Sequence, residues 1–221
     1  MLSFSDNSNK KSISSKYRLK RTLLFLDLLS EKKDTYNILD VGGSSAFWKN
    51  VKTEKKICIT ILNLDKNVYK DIEVKNITFI HKIGDCRKMD FFQDKSFDAV
   101  FSNSVIEHVG TYSDQKMMAE EVKRVTNFYF IQTPNLYFPI EPHFLFPFFQ
   151  FLPLFIKVFL VQNFTLGWVV KEKNRQDALN VIISIRLLNY KEMTLLFPKS
   201  TIHREKFLGL TKSFYAYEHI K

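Results

Sequence analysis

The chain has 221 residues, enough for one domain with a real core, and its apolar and charged fractions are those of an ordinary globular protein. A formal net charge of +10 fits either an anionic partner or a lysine-coated surface and by itself decides neither. The only two cysteines, Cys58 and Cys86, lie far apart; this excludes a disulfide framework and a cysteine-built structural zinc site, and fits a reducing, cytoplasmic setting.

In chain order, residues 1–15 are rich in Ser, Asn and Lys and are expected to form a loose arm. Residues 17–33 (YRLKRTLLFLDLLSEKK) place Leu19, Leu23 and Leu26 on one helical stripe, widened by Leu29, with Ser14 or Ser15 as cap. The first turn is basic (Lys16, Arg18, Lys20, Arg21), against the preference of the helix dipole. That face is read as solvated, with contact to an anionic substrate as the alternative. The apolar stretch 23–29 is interrupted by Asp27 and has no small-residue cleavage site after it, so no secretory signal is read there. Residues 1–36 are thus taken as arm and helix, and 37–221 as the main domain.

From residue 37 onward, strand-like and helical segments alternate. NILDVGG, KICITILNLD, ITFIHKIGD and FDAVFSNSVIEHV supply four strands, the last through Phe101. SDQKMMAEEVKRVT follows as a helix with Met117, Val122 and Val125 among its buried positions. FYFIQTPN is a fifth strand, closed by Thr-Pro-Asn. Short apolar strands interleaved with helices or loops predict a Rossmann-like, doubly wound, mostly parallel α/β sheet covered on both faces. Residues 136–175 break the pattern. Between 144 and 161 nearly every residue is apolar, many are Phe, and Pro147 and Pro153 interrupt the run. It is marginal in length for a membrane span and is broken by its prolines, so it predicts a helical cap, buried or lying at a membrane interface. The last stretch reads as a short helix followed by two strands turning near Gly209, an antiparallel hairpin on the sheet edge.

In doubly wound sheets, ligands bind beyond the carboxyl ends of the strands where the strand order reverses. Four features fall at such ends: Asp40-Val41-Gly42-Gly43, Asp65, Gly84-Asp85-Cys86 and Ser102-Asn103-Ser104. An Asp before a Gly turn is usually turn chemistry alone. Four at successive strand ends point to a nucleoside-bearing cofactor, with Asp65 able to accept both ribose hydroxyls. The turn V-G-G-S-S-A-F lacks the G-x-G-x-x-G spacing that brings a pyrophosphate to a helix N-terminus, and no G-K-[ST] follows. A phosphate-free cofactor needs only room at Gly42 and Gly43 for a carboxylate, an amine and a thioether. Phe47 and Trp48 fall where a helix begins to pack on the sheet, which reads as core anchoring first and a pocket wall second.

The ordered set ILDVGG, LNLD, GDCRKM and FDAVFSNSVIEHV resembles the class I S-adenosylmethionine-dependent methyltransferases of type 11, over about residues 37–133. The later stretches TPNLYFPIEPHFLFPFFQFLP and REKFLGLTKSFYAY resemble a bacterial subgroup found with surface-polysaccharide genes. The resemblance implies S-adenosylmethionine as cofactor. Asp40, Gly42 and Gly43 would line its methionine end, Asp65 would hold the ribose hydroxyls, Asp85 would meet the adenine amino group with Cys86 beside it, and Asn103 would flank the methionine. The family's third glycine is absent, and Ser45 or Ala46 stands near its place.

Transfer to an alcohol oxygen benefits from a general base. His108, beside Glu107, and His143 in EPHF are the catalytic candidates, each with a structural histidine as the alternative. A metal bound by Glu107, His108 and His143 is not assigned, because adjacent side chains diverge on a helix and three ligands are few. His81, His203 and His219 receive no role. The implied acceptor is a small molecule or a glycan, plausibly a sugar hydroxyl or a lipid-linked precursor. Nucleic acid is not expected, since SNSV is not the N-P-P-Y or D-P-P-Y type of signature. For 144–161 a core or lid role is the first reading and peripheral contact at the inner face of the membrane the alternative, and nothing specifies an oligomeric state. The alternatives are a non-catalytic binding protein that keeps this fold at a membrane surface and a nicotinamide-dependent oxidoreductase.

Overall fold

The computed structural model describes residues 13–29 and 33–218. The polar arm expected over 1–15 lies largely outside them. The elements in chain order are α1 (Ile13–Leu28), β1 (Tyr36–Val41), α2 (Ser45–Trp48), β2 (Ile57–Asn63), β3 (Ile77–Ile83), β4 (Ala99–Asn103), α3 (Tyr112–Val125) and β5 (Tyr129–Pro134). They continue with β6 (Ile140–Glu141), β7 (Phe146–Pro147), α4 (Leu154–Asn163), α5 (Arg175–Ile183), α6 (Tyr190–Leu196), β8 (Thr201–Phe207) and β9 (Leu210–Tyr217). Seven strands form one sheet in the order β3-β2-β1-β4-β5-β9-β8. The first five are parallel, and the β8–β9 hairpin adds antiparallel to β5. The order reverses between β1 and β4, which sets the crevice expected for a ligand.

Period-2 alternation sorts side chains to the two faces of the sheet. Ile38 on β1, Phe101 on β4 and Phe128 and Phe130 beside and on β5 meet Phe25 and Leu26 of α1, Leu29 just after it, and Trp48 of α2. Leu39, Val41, Val100, Tyr129 and Ile131 meet Met118, Val122 and Val125 of α3 and Met193 and Leu196 of α6. Capping fixes where α3 and α6 begin. Thr111 and Asp114 form a reciprocal capping box, and Asn189 and Glu192 form a second. Beyond its first residues β3 is largely exposed, with Ile80 and Ile83 open to solvent.

Three local expectations are corrected. Ser14 and Ser15 lie inside α1 and do not cap it. Leu19 and Leu23 face solvent, and the buried stripe is Arg21, Thr22, Phe25, Leu26 and Leu29. This helix has apolar residues on several faces, so the sheet and not the leucine spacing selects the stripe. Met117 is exposed, and its neighbour Met118 fills the core.

The Phe-rich segment builds a satellite core from Phe144, Phe149, Val158, Val161, Ala178 and Ile182, joining α4 to α5. Its turns hold Leu145 (φ 48°) and Phe148 (φ 54°) in the left-handed region, which side chains of this bulk rarely adopt. Phe148, Phe151, Leu154, Phe155 and Phe159 remain exposed. No helix among the described residues is long and apolar enough to cross a membrane.

Candidate active site

The turn after β1 is shaped from beneath. Gly42 has φ 71°, and a Cβ there would meet the Val105 methyls at 2.5 Å. A Cβ on Gly43 would overlap the carboxylate of Asp40. Asp40 points to the α2 face of the sheet, is 2 % exposed and accepts a 2.8 Å hydrogen bond from Trp48 Nε1. Burial pushes its pKa up to about 7, against the lowering effect of the Trp48 bond. Asp40 therefore lies under the turn and outside the cavity walls. Trp48 is fully buried, while Phe47 is half-buried, lines the cavity and lies 5.6 Å below the Arg18 guanidinium.

Two adjoining cavities, of about 590 and 430 Å³, open above the ends of β1 and β4. They share Gly42, Asn63, Ser104 and His108. Gly43, Asn103 and His143 line the larger one, and Asp85 and Cys86 the smaller. Asn103 turns a solvent-shielded Oδ1 that has no hydrogen-bond partner among the described residues. Ser104 holds φ 56° while its Oγ donates to Gln132 Oε1 at 2.9 Å. Asp85 is engaged by Arg87 Nη2 at 2.6 Å, and Arg87 Nη1 reaches Asp114 at 2.9 Å. The hydrogen bonds from Arg87 hold the Asp85 carboxyl below its usual range. Burial pushes the Cys86 thiol up to about 12, so it stays protonated and serves as wall. Asp65 lines neither cavity: it is exposed, and its Oδ1 accepts from Asn67 N and Nδ2 at 2.8 and 2.7 Å.

The two candidate histidines, 35 residues apart, meet with Nε2 atoms 3.1 Å from each other. His143 Nδ1 lies 2.7 Å from Glu141 Oε1, and Glu141 Oε2 accepts the backbone N–H groups of His143 and Phe144 at 2.7 Å. Glu141, 2 % exposed, thus fixes both the loop and the ring. From outside, Trp168 N donates to His143 O at 2.9 Å, and Gly167 (φ 54°) packs so closely that a Cβ would strike the same carbonyl. Glu107 and His108 sit on a single 3-10 turn, Ile106–His108, and not on an α-helix. There their side chains converge with His143, one ligand atom from each lying within 4.8 Å of the others. This corrects the argument from helical divergence. Glu107 is fully buried; Thr133 Oγ1 donates to its Oε2 at 2.9 Å, and Oε1 has no partner among the described residues. Burial raises its pKa to about 7. His108 keeps an exposed edge, and desolvation of the rest of the ring, then His143, lowers it to about 4. Burial opposes charge on His143, but Glu141 and then Glu107 lift it above the ordinary histidine value.

Basic side chains form the far wall of the larger cavity. Arg18 and Arg21 of α1 and Lys212 of β9 all line it. Arg21 lies 3.8 Å from Glu205, and Lys212 lies 3.2 Å from the same carboxylate. Burial lowers Lys212 to about 8. Of these residues, sequence reasoning named Arg18 and Arg21 only as a face and missed Glu141, Arg87, Gln132 and Lys212. The acid two positions before His143, in EPH, is the one local signal that marks Glu141.

Residues 39–127 match the family model described as a methyltransferase domain. Over 65 residues the chain is 37% identical to an uncharacterized protein of Mycobacterium tuberculosis; that stretch is 29% of this chain and 22% of the relative. The chain thus matches about a fifth of the length of that relative. Among solved structures, it is similar to a protein from Pyrococcus horikoshii OT3, with a TM-score of 0.57 and 14% identity over 100% of this chain and 96% of that one. It is also similar to a SAM-dependent methyltransferase from Methanosarcina mazei, with a TM-score of 0.53 and 12% identity, covering 90% of this chain and 98% of that one. A third, a SAM-dependent methyltransferase from Aquifex aeolicus, gives a TM-score of 0.51 and 13% identity over 92% and 91% of the two chains. Together with the strand order, these similarities show that the chain shares its fold with these SAM-dependent methyltransferases, and the match to the methyltransferase-domain model falls on the segment from β1 to α3.

Proposed function

We propose that the protein is an S-adenosylmethionine-dependent methyltransferase acting on an acceptor oxygen, with a sugar hydroxyl of an anionic or lipid-linked glycan precursor as substrate. The observation that carries this reading is the join of the two cavities at Gly42, Asn63, Ser104 and His108, with Gly43 and Asn103 on one side and Asp85 and Cys86 on the other. The unpaired Asn103 Oδ1 suits the cofactor's amine, and Gly42 and Gly43 line the same cavity. Bound there, the cofactor supplies an activated methyl group.

The chain's own residues orient the acceptor and exclude water. Gly42, Gly43 and Asn103 would hold the cofactor, which would supply the methyl group to the acceptor oxygen, with the C–S bonding electrons staying on sulfur. The hydroxyl proton leaves toward the His108–His143 pair, whose charge Glu141 and Glu107 offset. Arg18, Arg21 and Lys212 support an acceptor that carries phosphate or carboxylate. The exposed Phe151, Phe155 and Phe159 support peripheral docking on a bilayer that presents such an acceptor to a cytoplasmic enzyme.

Calorimetry with S-adenosylmethionine, its demethylated product and NAD tests the cofactor. The first two are expected to bind and compete, and NAD is expected not to displace them. Saturation with no heat and no rise in melting temperature would favour a non-catalytic protein on the same fold. Asp65→Ala tests the ribose assignment separately: the carboxylate lines neither cavity, so a ribose role requires it to leave Asn67 on binding, and its loss then weakens cofactor binding by more than about 1 kcal/mol. An unchanged affinity removes Asp65 from the site.

A further inference from the structure

We propose that Glu107, His108 and His143 form a binding site for one first-row divalent cation, zinc or a metal of similar preference, with open positions facing the acceptor cavity. The ligand set is two imidazoles and one carboxylate, the combination that takes such metals in open, reactive sites.

Four features of the structure converge on this assignment. First, two Nε2 atoms face each other at 3.1 Å. Two nitrogens bound to one metal at about 2.0–2.1 Å stand about 2.9 Å apart in octahedral geometry and about 3.4 Å in tetrahedral geometry. The observed separation lies between these. Second, Glu141 Oε1 takes the Nδ1 side of His143, which leaves Nε2 of the neutral ring as a bare lone pair aimed at His108. A carboxylate behind the imidazole is the arrangement that orients metal-ligating histidines. Third, the fully buried Glu107 keeps Oε1 without a partner. A buried carboxylate oxygen left unsatisfied is costly, and a cation removes that cost. Fourth, the backbone is braced on both sides. Arg186 N donates to Glu107 O at 2.7 Å, Gln115 Nε2 holds Ile106 O at 2.9 Å, and Gly167–Trp168 clamp His143. The three ligand atoms lie within 4.8 Å of one another, a spread that cation binding has to narrow.

The role rests on the methyl-transfer reading, whereas the site does not. His108 borders both cavities, so the cation's open positions face the place where acceptor and methyl donor meet. The cation would lower the pKa of a hydroxyl bound there; with His108 and His143 then serving as ligands, the proton would pass to solvent in place of the histidine pair.

The test is titration of the full, chelator-stripped chain with Zn²⁺ by calorimetry, and with Co²⁺ by visible absorption. The site requires one cation per chain. His108→Ala and His143→Ala are each expected to weaken binding at least a hundredfold. Glu141→Gln, which acts only behind His143, is expected to weaken it about 10- to 100-fold. His81→Ala, on exposed β3, leaves it unchanged. His143→Gln repeats the test should the alanine variant not fold. No saturable uptake by the unaltered protein, or an affinity in His108→Ala and His143→Ala equal to that of the unaltered protein, overturns the site and leaves the pair sharing a proton. Zn²⁺ uptake without S-adenosylmethionine binding in the same samples supports the site and overturns the methyl-transfer reading alone.

Discussion

The turn after β1 and the Phe-rich insert both border the same crevice, yet they are built on opposite principles. The turn is held from below by buried groups: Asp40 under Gly43, Trp48 on Asp40, Val105 against Gly42. The insert is held from within by a satellite core and displays Phe151, Phe155 and Phe159 outward. The turn gives a rigid floor to the crevice. The insert brings Glu141 and His143 to His108 through its own folding. Damage to the first should therefore register in folding, and damage to the second in reaction or docking.

The contrast is sharpest at Gly43. Gly43→Ala drives a methyl into a carboxylate that Trp48 pins, so it is expected to cost about 3 kcal/mol and to lower the melting temperature by about 6–12 °C. A melting temperature within 2 °C of the unaltered protein would show the turn to be loose. His143→Ala reverses the pattern. Methyl transfer to a glycan-precursor extract, followed with a labelled methyl group, is expected to fall about a hundredfold, while cofactor affinity holds within about threefold. Equal loss of both would merge the two regions functionally.

Asp40→Asn probes the buried base of the turn through pH. Its carboxyl titrates near 3.9 in the unfolded chain and at about 7 in the folded one, so the folded state holds the extra proton between those values. Its contribution to stability is present below about pH 4 and is lost as pH rises toward 7. The variant keeps an acceptor for Trp48 and removes that loss. Urea melts from pH 4 to 8 should flatten by up to about 1.4 kcal/mol per pH unit relative to the unaltered protein. Parallel curves would place the Asp40 proton elsewhere. The smallest expected effect on folding is at the outer insert. Phe155→Ser with Phe159→Ser should change stability by less than about 0.5 kcal/mol yet lower flotation with anionic vesicles more than tenfold. Unchanged flotation removes the bilayer from the reading.

The same division governs what the sequence reveals. Strand ends are legible because alternation and Asp/Gly punctuation act over a few residues; hence Gly42, Gly43, Asp85 and Asn103 all reach the crevice. Asp40 shows the limit, since the residue type marks the turn but the alternation of β1 sends its carboxylate beneath it. In α1, apolar residues on several faces allow more than one buried stripe, so Leu19 and Leu23 mislead while Arg21 and Thr22 turn inward. The convergence of His108 on His143 spans 35 positions and depends on a 3-10 turn at one end and an acid-braced loop at the other. No local period encodes it.

Helix α1 carries a further consequence. One face of it seals Phe25 and Leu26 onto the sheet, with Leu29 just past its end, while Arg18 and Arg21 wall the larger cavity. Peeling the helix away would at once empty that wall and wet three core residues, so access to the cavity by this route has the free energy of a local unfolding event. A ligand gripped by the two arginines tightens the same latch by mass action. Amide protons of α1 then report occupancy: their exchange slows in proportion to how full the cavity is, without any change in the fold.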